Sequence, residues 1–270
     1  MSSVAENQTD ATKRILAGMV YYHGTSLCPA VAALTSGDPI KNGIPTNSKT
    51  KFPSARRGRV YLSPHMDVAA HYAMITGRED WPEDVDDEKL GSPHVFIFED
   101  FSGLENIQID EDDIGWIAMN AARQMVLGKN FLFNTNHEFC IRVQRVANSI
   151  GSEKFNRNIL EYLLNLSERI KDDREGRSFT RLAKAVLSGK NFSHHIPDKP
   201  AIWTRLGISL GPLVDVDIMR RFTKMGANIS VTGEIRPTSY IKYDVTKKRQ
   251  QTLPIITEKS TDTASLGLSL

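Results

Sequence analysis

An α+β fold is what this sequence predicts, on three observations: β-like runs near its start, helical periodicity through its middle, and β-like runs again near its end. The chain has 270 residues, 40% hydrophobic and 24% charged, enough for one large domain or a domain with a sizeable insert. Five regions follow: a polar flexible leader at 1–17, the first half of the core at 18–110, a helical insertion at 111–190, the returning strands at 191–246 and a flexible tail at 247–270.

The first half opens with MVYYHGT, whose aromatic and β-branched content reads as a strand. RVYLS is a second strand, and SPHMDVAAHYAMITG follows it as a helix. Ser63 and Pro64 suit that helix's N-cap and first turn, and Gly77 its end. HVFIFEDF is a third strand and ENIQID a fourth, with an acidic loop from Glu79 to Lys89 before them. In the middle, IGWIAMNAARQMVLG, EFCIRVQRVANSI, FNRNILEYLLNLSERI and FTRLAKAVLSG each repeat apolar residues every three or four positions, predicting four amphipathic helices. NISVTGEI and SYIKYDV then return to strands, separated by the turn signal Arg236-Pro237-Thr238. The tail carries a basic KKRQQ run, and its LPII offers one point of attachment to the body.

Composition narrows the function classes. A formal charge of +2 does not mark a bulk polyanion binder, so any positive surface has to be local. Two cysteines, Cys28 and Cys140, lie far apart without CxxC spacing, which predicts neither a disulfide framework nor a zinc site and points to a reduced, cytoplasmic protein. No apolar run reaches the roughly 20 residues that span a bilayer. The opening MSSVAENQTDATKR lacks the apolar core of a secretory signal.

Three segments carry the chemistry. In Tyr22-His23-Gly24-Thr25, a strand-end histidine can hydrogen-bond a ligand and a glycine lets backbone groups approach it; the same tetrapeptide also reads as a histidine packed on a turn. Tyr61, ending the second strand before Ser63, and Tyr72, on the helix beyond, could sandwich a flat cationic ring, or form ordinary aromatic core. Glu234, in VTGEI, is either an exposed edge charge or a working acid.

Taken together these segments resemble the ADP-ribosyltransferase superfamily. YYHGT resembles the first-strand motif of its His-Tyr-Glu branch, which holds the diphtheria-toxin-like and poly(ADP-ribose)-polymerase-like enzymes, and VYLSPHMDVAAHYA resembles the second block. VTGEIRPTSYI is similar to a late strand of the RNA 2′-phosphotransferases, from which Tyr61 departs where that branch has histidine. Aligning YIKYD with the polymerases' last motif would instead set Ser239 at the glutamate position. The likeness covers about residues 18–110 and 226–246. It implies a split β-sheet core with a helical insertion, and NAD⁺ as co-substrate with no metal. It further implies a site of His23, Tyr61 and Glu234 as catalytic residues, with Gly24, Thr25, Ser63 and Tyr72 beside them on the dinucleotide. His23 would hold the adenosine ribose, Tyr61 and Tyr72 the nicotinamide ring, and Glu234 the 2′-hydroxyl of the nicotinamide ribose.

Arg57 and Arg59, with Arg56, face either a phosphate or solvent. His194-His195 has no further ligand spacing to make a metal site, and Asp110 to Asp113 reads as helix N-terminal capping. The resemblance implies mono-ADP-ribosylation of a macromolecular acceptor, the balance favouring RNA or DNA over protein. It also implies a toxin of a toxin–antitoxin or phage-conflict system, with an antitoxin or inhibitor as partner. A protein-modifying effector, a catalytically silent NAD⁺ or ADP-ribose module, and a helical interaction protein stand as alternatives.

Overall fold

Alternation of short β-rich runs with small-residue helices gives two antiparallel sheets in the computed structural model, which describes residues 10–40, 58–75, 90–127, 138–170, 172–189, 200–244 and 249–254. Helix α1 (10–16) precedes strand β1 (Tyr21–Leu27) and helix α2 (Cys28–Thr35). Strand β2 (Val60–Leu62) leads into α3 (Met66–Ile75), and β3 (Leu90–Phe98) into β4 (Leu104–Ile109). Six helices intervene among the described residues: α4 (Glu111–Leu127), α5 (Glu138–Ile150), α6 (Ser152–Ser167), α7 (Arg174–Leu187), α8 (Pro200–Leu210) and α9 (Val216–Lys224). Strands β5 (Ile229–Gly233), β6 (Ser239–Asp244) and β7 (Arg249–Pro254) close the described chain.

The first sheet runs β1-β3-β6-β7 and the second β2-β5-β4. Among the described residues one backbone bridge links them: Tyr22 N–H donates to the Ser63 carbonyl at 2.7 Å, and Ser63 N–H returns the bond at 2.9 Å. The register sets His23 opposite Phe96 and Phe96 opposite Tyr240, so these side chains share one face of the first sheet. The other face, with Val95 and Ile241, is covered by Ala69, Ala70 and Ala73 of α3. That contact is tight enough that a Cβ on Gly24 would lie 1.7 Å from the Ala69 carbonyl oxygen.

Helix α4 is the axis of the helical part. Twelve of its residues are buried, too many for a one-sided amphipathic helix and in keeping with packing on several neighbours. It lies antiparallel to α8: a Cβ on Gly207 would meet the Glu111 carbonyl at 1.9 Å, and one on Gly115 the Trp203 carbonyl at 2.4 Å. Asp173 caps α7, its carboxylate accepting from the N–H groups of Glu175 and Gly176, and Asp215 caps α9 by accepting from Ile218 N–H.

Several boundaries differ from the sequence reading. The helical stretch does not stop at 190 but runs through α8 and α9 to Lys224, so only residues from Ile229 onward return to strands. Part of the expected leader is helical, with Thr12 and Leu16 buried, and part of the expected tail is strand β7, paired to β6. Helix α3 begins at Met66, not at Pro64, because the Ser63 hydroxyl accepts from His65 N–H and forms a turn before it. Asp110 does cap α4, accepting from Asp112 N–H at 2.9 Å.

Candidate active site

The site is built where β1, β2, α3 and the first turn of α4 meet. His23 leaves β1 on the face opposite α3, and its Nδ1–H donates to the Tyr61 carbonyl at 3.0 Å. A carbonyl only accepts, so this bond fixes the tautomer and leaves Nε2 as an acceptor. Burial pushes the His23 pKa below its ordinary value, against the opposing pull of that bond, and the ring is neutral at physiological pH.

Tyr61 pairs with Ser230 across β2 and β5, and its hydroxyl donates to Glu111 Oε1 at 2.5 Å. Glu111 has no exposed surface. Its other oxygen receives the Ser230 hydroxyl at 3.4 Å, and Ser230 Oγ in turn accepts from Arg59 Nε at 3.0 Å. Arg59 also donates to the backbone carbonyls of Ser230 and Asn106, at 2.5 and 3.2 Å. Its guanidinium therefore laces β2 to β5 and β4, and the Ser230 hydroxyl links it to the buried Glu111 carboxylate.

Tyr72 is 42% exposed, yet its phenol is raised above the ordinary tyrosine value. Burial is the first cause, followed by the carboxyls of Asp110, Asp112 and Asp113, so Tyr72 lies within electrostatic reach of the start of α4. Tyr61 bonds this acidic turn directly, and Tyr72 feels its charge. Within it, burial and the neighbouring carboxyls lift Asp110 well above its usual range. Burial, with a push from Asp112, lifts Asp113 to about 8 although it accepts from Asn228 N–H at 2.7 Å. Close beneath lies Tyr21, fully buried, its hydroxyl without a hydrogen-bond partner among the described residues.

Of the residues expected from the sequence, His23, Tyr61, Ser63 and Tyr72 are gathered here, Ser63 through its bridge to Tyr22. Thr25 is buried opposite His94 on the His23 face. Gly24 faces α3, where the Ala69 carbonyl accounts for the missing side chain. Glu234 is not brought into the group. It follows Gly233, which pairs with Leu104 at the end of β5 remote from Ile229 and Ile109, and it is exposed. Four residues separate it from Ser230, roughly 13 Å of strand at about 3.3 Å per residue. Arg56 and Arg57 lie outside the described residues, as does the His194-His195 pair.

Sequence reasoning missed Glu111 as a site residue, and Asp113 with it. It also passed over His94, a buried imidazole across from Thr25 whose ring stacks on Phe96 at 6.1 Å and whose Nδ1–H donates to the Ser92 carbonyl. No group of three or more His, Cys, Asp or Glu side chains among the described residues could hold a metal ion. No helix among them is long and apolar enough to cross a membrane. Compared with known proteins, the chain matches no family model, no curated protein and no solved structure at a significant level.

Proposed function

We propose that this protein is a mono-ADP-ribosyltransferase: it breaks the nicotinamide–ribose bond of NAD⁺ and transfers ADP-ribose to a macromolecular acceptor, nucleic acid in preference to protein. The observation that carries the reading is the hydrogen bond of Tyr61 to the buried Glu111 of an acidic helix turn, beside a histidine held as a neutral acceptor by its bond to the Tyr61 carbonyl. Two separate antiparallel sheets, bridged at Tyr22 and Ser63, support the accompanying fold reading, a split-sheet transferase core.

The chemistry suits those groups. Nicotinamide leaves with the electron pair of the C–N bond, so positive charge moves from the ring to the ribose as an oxocarbenium-like centre. An acceptor nucleophile then bonds that carbon and gives up its proton. Fixed negative charge and good positioning are what lower such a barrier. His23 Nε2 is available to accept from a ribose hydroxyl. The open ring of Tyr72 and the anchored ring of Tyr61 suit a flat cation. The carboxylate role expected of Glu234 passes to the first turn of α4, where Glu111 holds Tyr61 and Asp112 is the exposed carboxyl.

Incubation with labelled NAD⁺ and, separately, total RNA, DNA and cell protein tests the proposal. Label is expected on nucleic acid, and Glu111→Gln is expected to lower transfer by about 10²-fold or more, on the scale of a lost electrostatic partner. Glu234→Ala is expected to transfer as the parent does. Absence of both label and nicotinamide release would sink the enzyme reading, and NAD⁺ binding without release would select a silent dinucleotide-binding module.

A further inference from the structure

Helix α7 gathers four basic side chains on one exposed face. Arg174, Arg177, Arg181 and Lys184 are all exposed. At 100° per residue they fall within an arc of about 80°, and their backbone positions span about 15 Å. Ser178 lies beside the arc, and the helix's one acidic residue, Glu175, points away from it to an ion pair with Arg205 at 3.5 Å. Exposed opposite charges pair along α6 and α9, as in Glu153–Arg157 and Asp217–Arg220. On the α7 stripe Lys184 pairs with Glu168 at 2.7 Å, and Arg177 donates to the Asp172 carbonyl and lies near the Asp173 carboxylate. The stripe nevertheless sets like charges at i, i+4, a small standing cost to the helix.

Position adds a second argument. The Ser209 hydroxyl donates to Asp173, the residue before Arg174, at 2.6 Å. Ser209 is two residues from Gly207, which abuts the Glu111 backbone. The stripe therefore starts at the end of the helical bundle that holds the candidate site and leads away from it. Three of its four cations are arginines, whose planar fork fits phosphate oxygens. Its length matches about four phosphates of one strand at about 3.4 Å each, too long for a lone phosphate group.

We propose that the basic face of α7 holds the phosphodiester backbone of a nucleic acid and leads it toward the tyrosine-lined site. As the seat of an acceptor this rests on the transferase reading; as a nucleic-acid contact it does not.

Fluorescence anisotropy on the full chain without NAD⁺ tests it, with labelled single-stranded RNA and duplex DNA of about 20 nucleotides over about 50–200 mM salt. The parent is expected to bind with a log K against log salt slope of about −3 on the single strand. The variant R174Q/R177Q/R181Q is expected to lose more than tenfold in affinity, its slope shallower by about 2. R221Q/K224Q, on the exposed basic face of α9, is expected to bind as the parent. Should the triple variant melt early, R181Q alone carries the test, with a slope change of about 0.7. Parent-like binding by the α7 variants, loss that follows the α9 variant instead, or binding to an acidic peptide but to neither nucleic acid would overturn the proposal. Binding without label transfer would remove the transferase reading and leave this one standing; label transfer with no α7 dependence of binding would do the reverse.

Discussion

Replacing Tyr61 by phenylalanine deletes one oxygen from the centre of the site and leaves its ring. That oxygen donates at 2.5 Å to Glu111, which has no exposed surface from which to recruit water in its place. The second carboxylate oxygen accepts from the Ser230 hydroxyl over a longer 3.4 Å. A hydrogen bond to a charged, buried acceptor is worth about 1.5–3 kcal/mol, chiefly through the penalty of leaving the acceptor short of a donor. Tyr61→Phe should therefore cost about 2 kcal/mol, a fall of about 0.7 M in the urea midpoint if the slope is about 3 kcal/mol/M. The partnered experiment is the same substitution in Glu111→Leu. There the acceptor is gone, so the phenol has nothing to satisfy and its removal should cost under about 0.5 kcal/mol, a coupling of at least 1.5 kcal/mol. Equal costs in the two backgrounds would show that Tyr61 and Glu111 do not act as a pair, and the construction of the site would fail with it.

Two further outcomes follow from the same region. Asp113 holds its proton up to about pH 8, well above an unfolded carboxyl, so the folded state binds the extra proton and stability falls as pH rises between about 4 and 8, by at most about 1.4 kcal/mol per pH unit. Asp113→Asn, which can still accept from Asn228 N–H, should melt with the parent near pH 4 and progressively above it toward pH 8; a gap that is the same at every pH would refute this. Gly24→Ala sets a methyl carbon 1.7 Å from the Ala69 carbonyl, so α3 has to shift, and a loss of about 3 kcal/mol is expected in thermal unfolding. An alanine variant as stable as the parent would mean that α3 does not sit on β1.

How far these features were legible depends on the range of the interaction that makes them. The strand at Tyr21, the helix after Ser63 and the helices α4 to α7 are local patterns, and each is found where its periodicity predicts it. Helix α8 hides its pattern because Gly207 sits inside it, a poor helix residue kept by the close approach to Glu111. Helix α9 had a readable signature in Asp215 at its N-cap and Met219 and Phe222 on one face, masked by the expectation that strands had resumed. Glu111 left no local trace at all. Its run of four acidic residues is accounted for by Asp110 capping the helix, and the partners that single it out, Tyr61 and Ser230, lie 50 and 119 residues away. Glu234 shows the converse: its flanking VTG and Arg-Pro read as a motif, but the positive φ of 99° at Gly233 marks where β5 ends, beyond the reach of the site.

The placement of Glu111 also decides what kind of insertion the helices are. Strands β4 and β5 are neighbours, with Ile109 opposite Ile229 and Asp110 N–H bonded to the Asn228 carbonyl, so the ladder is complete without a single residue between them. A short turn would close it. Instead the chain leaves the ladder into α4, whose first residue reaches back to Tyr61 and whose later turns, buried on nearly every side, are gripped by α6 and α8. The carboxylate is thus positioned by the packing of the whole bundle, not by the sheet it touches. A contact on α7 that shifts the bundle would bear on Glu111 through α8, whose Ser209 and Gly207 touch Asp173 and Glu111 respectively. The helices are therefore one of the walls of the candidate site, and the element that positions Glu111.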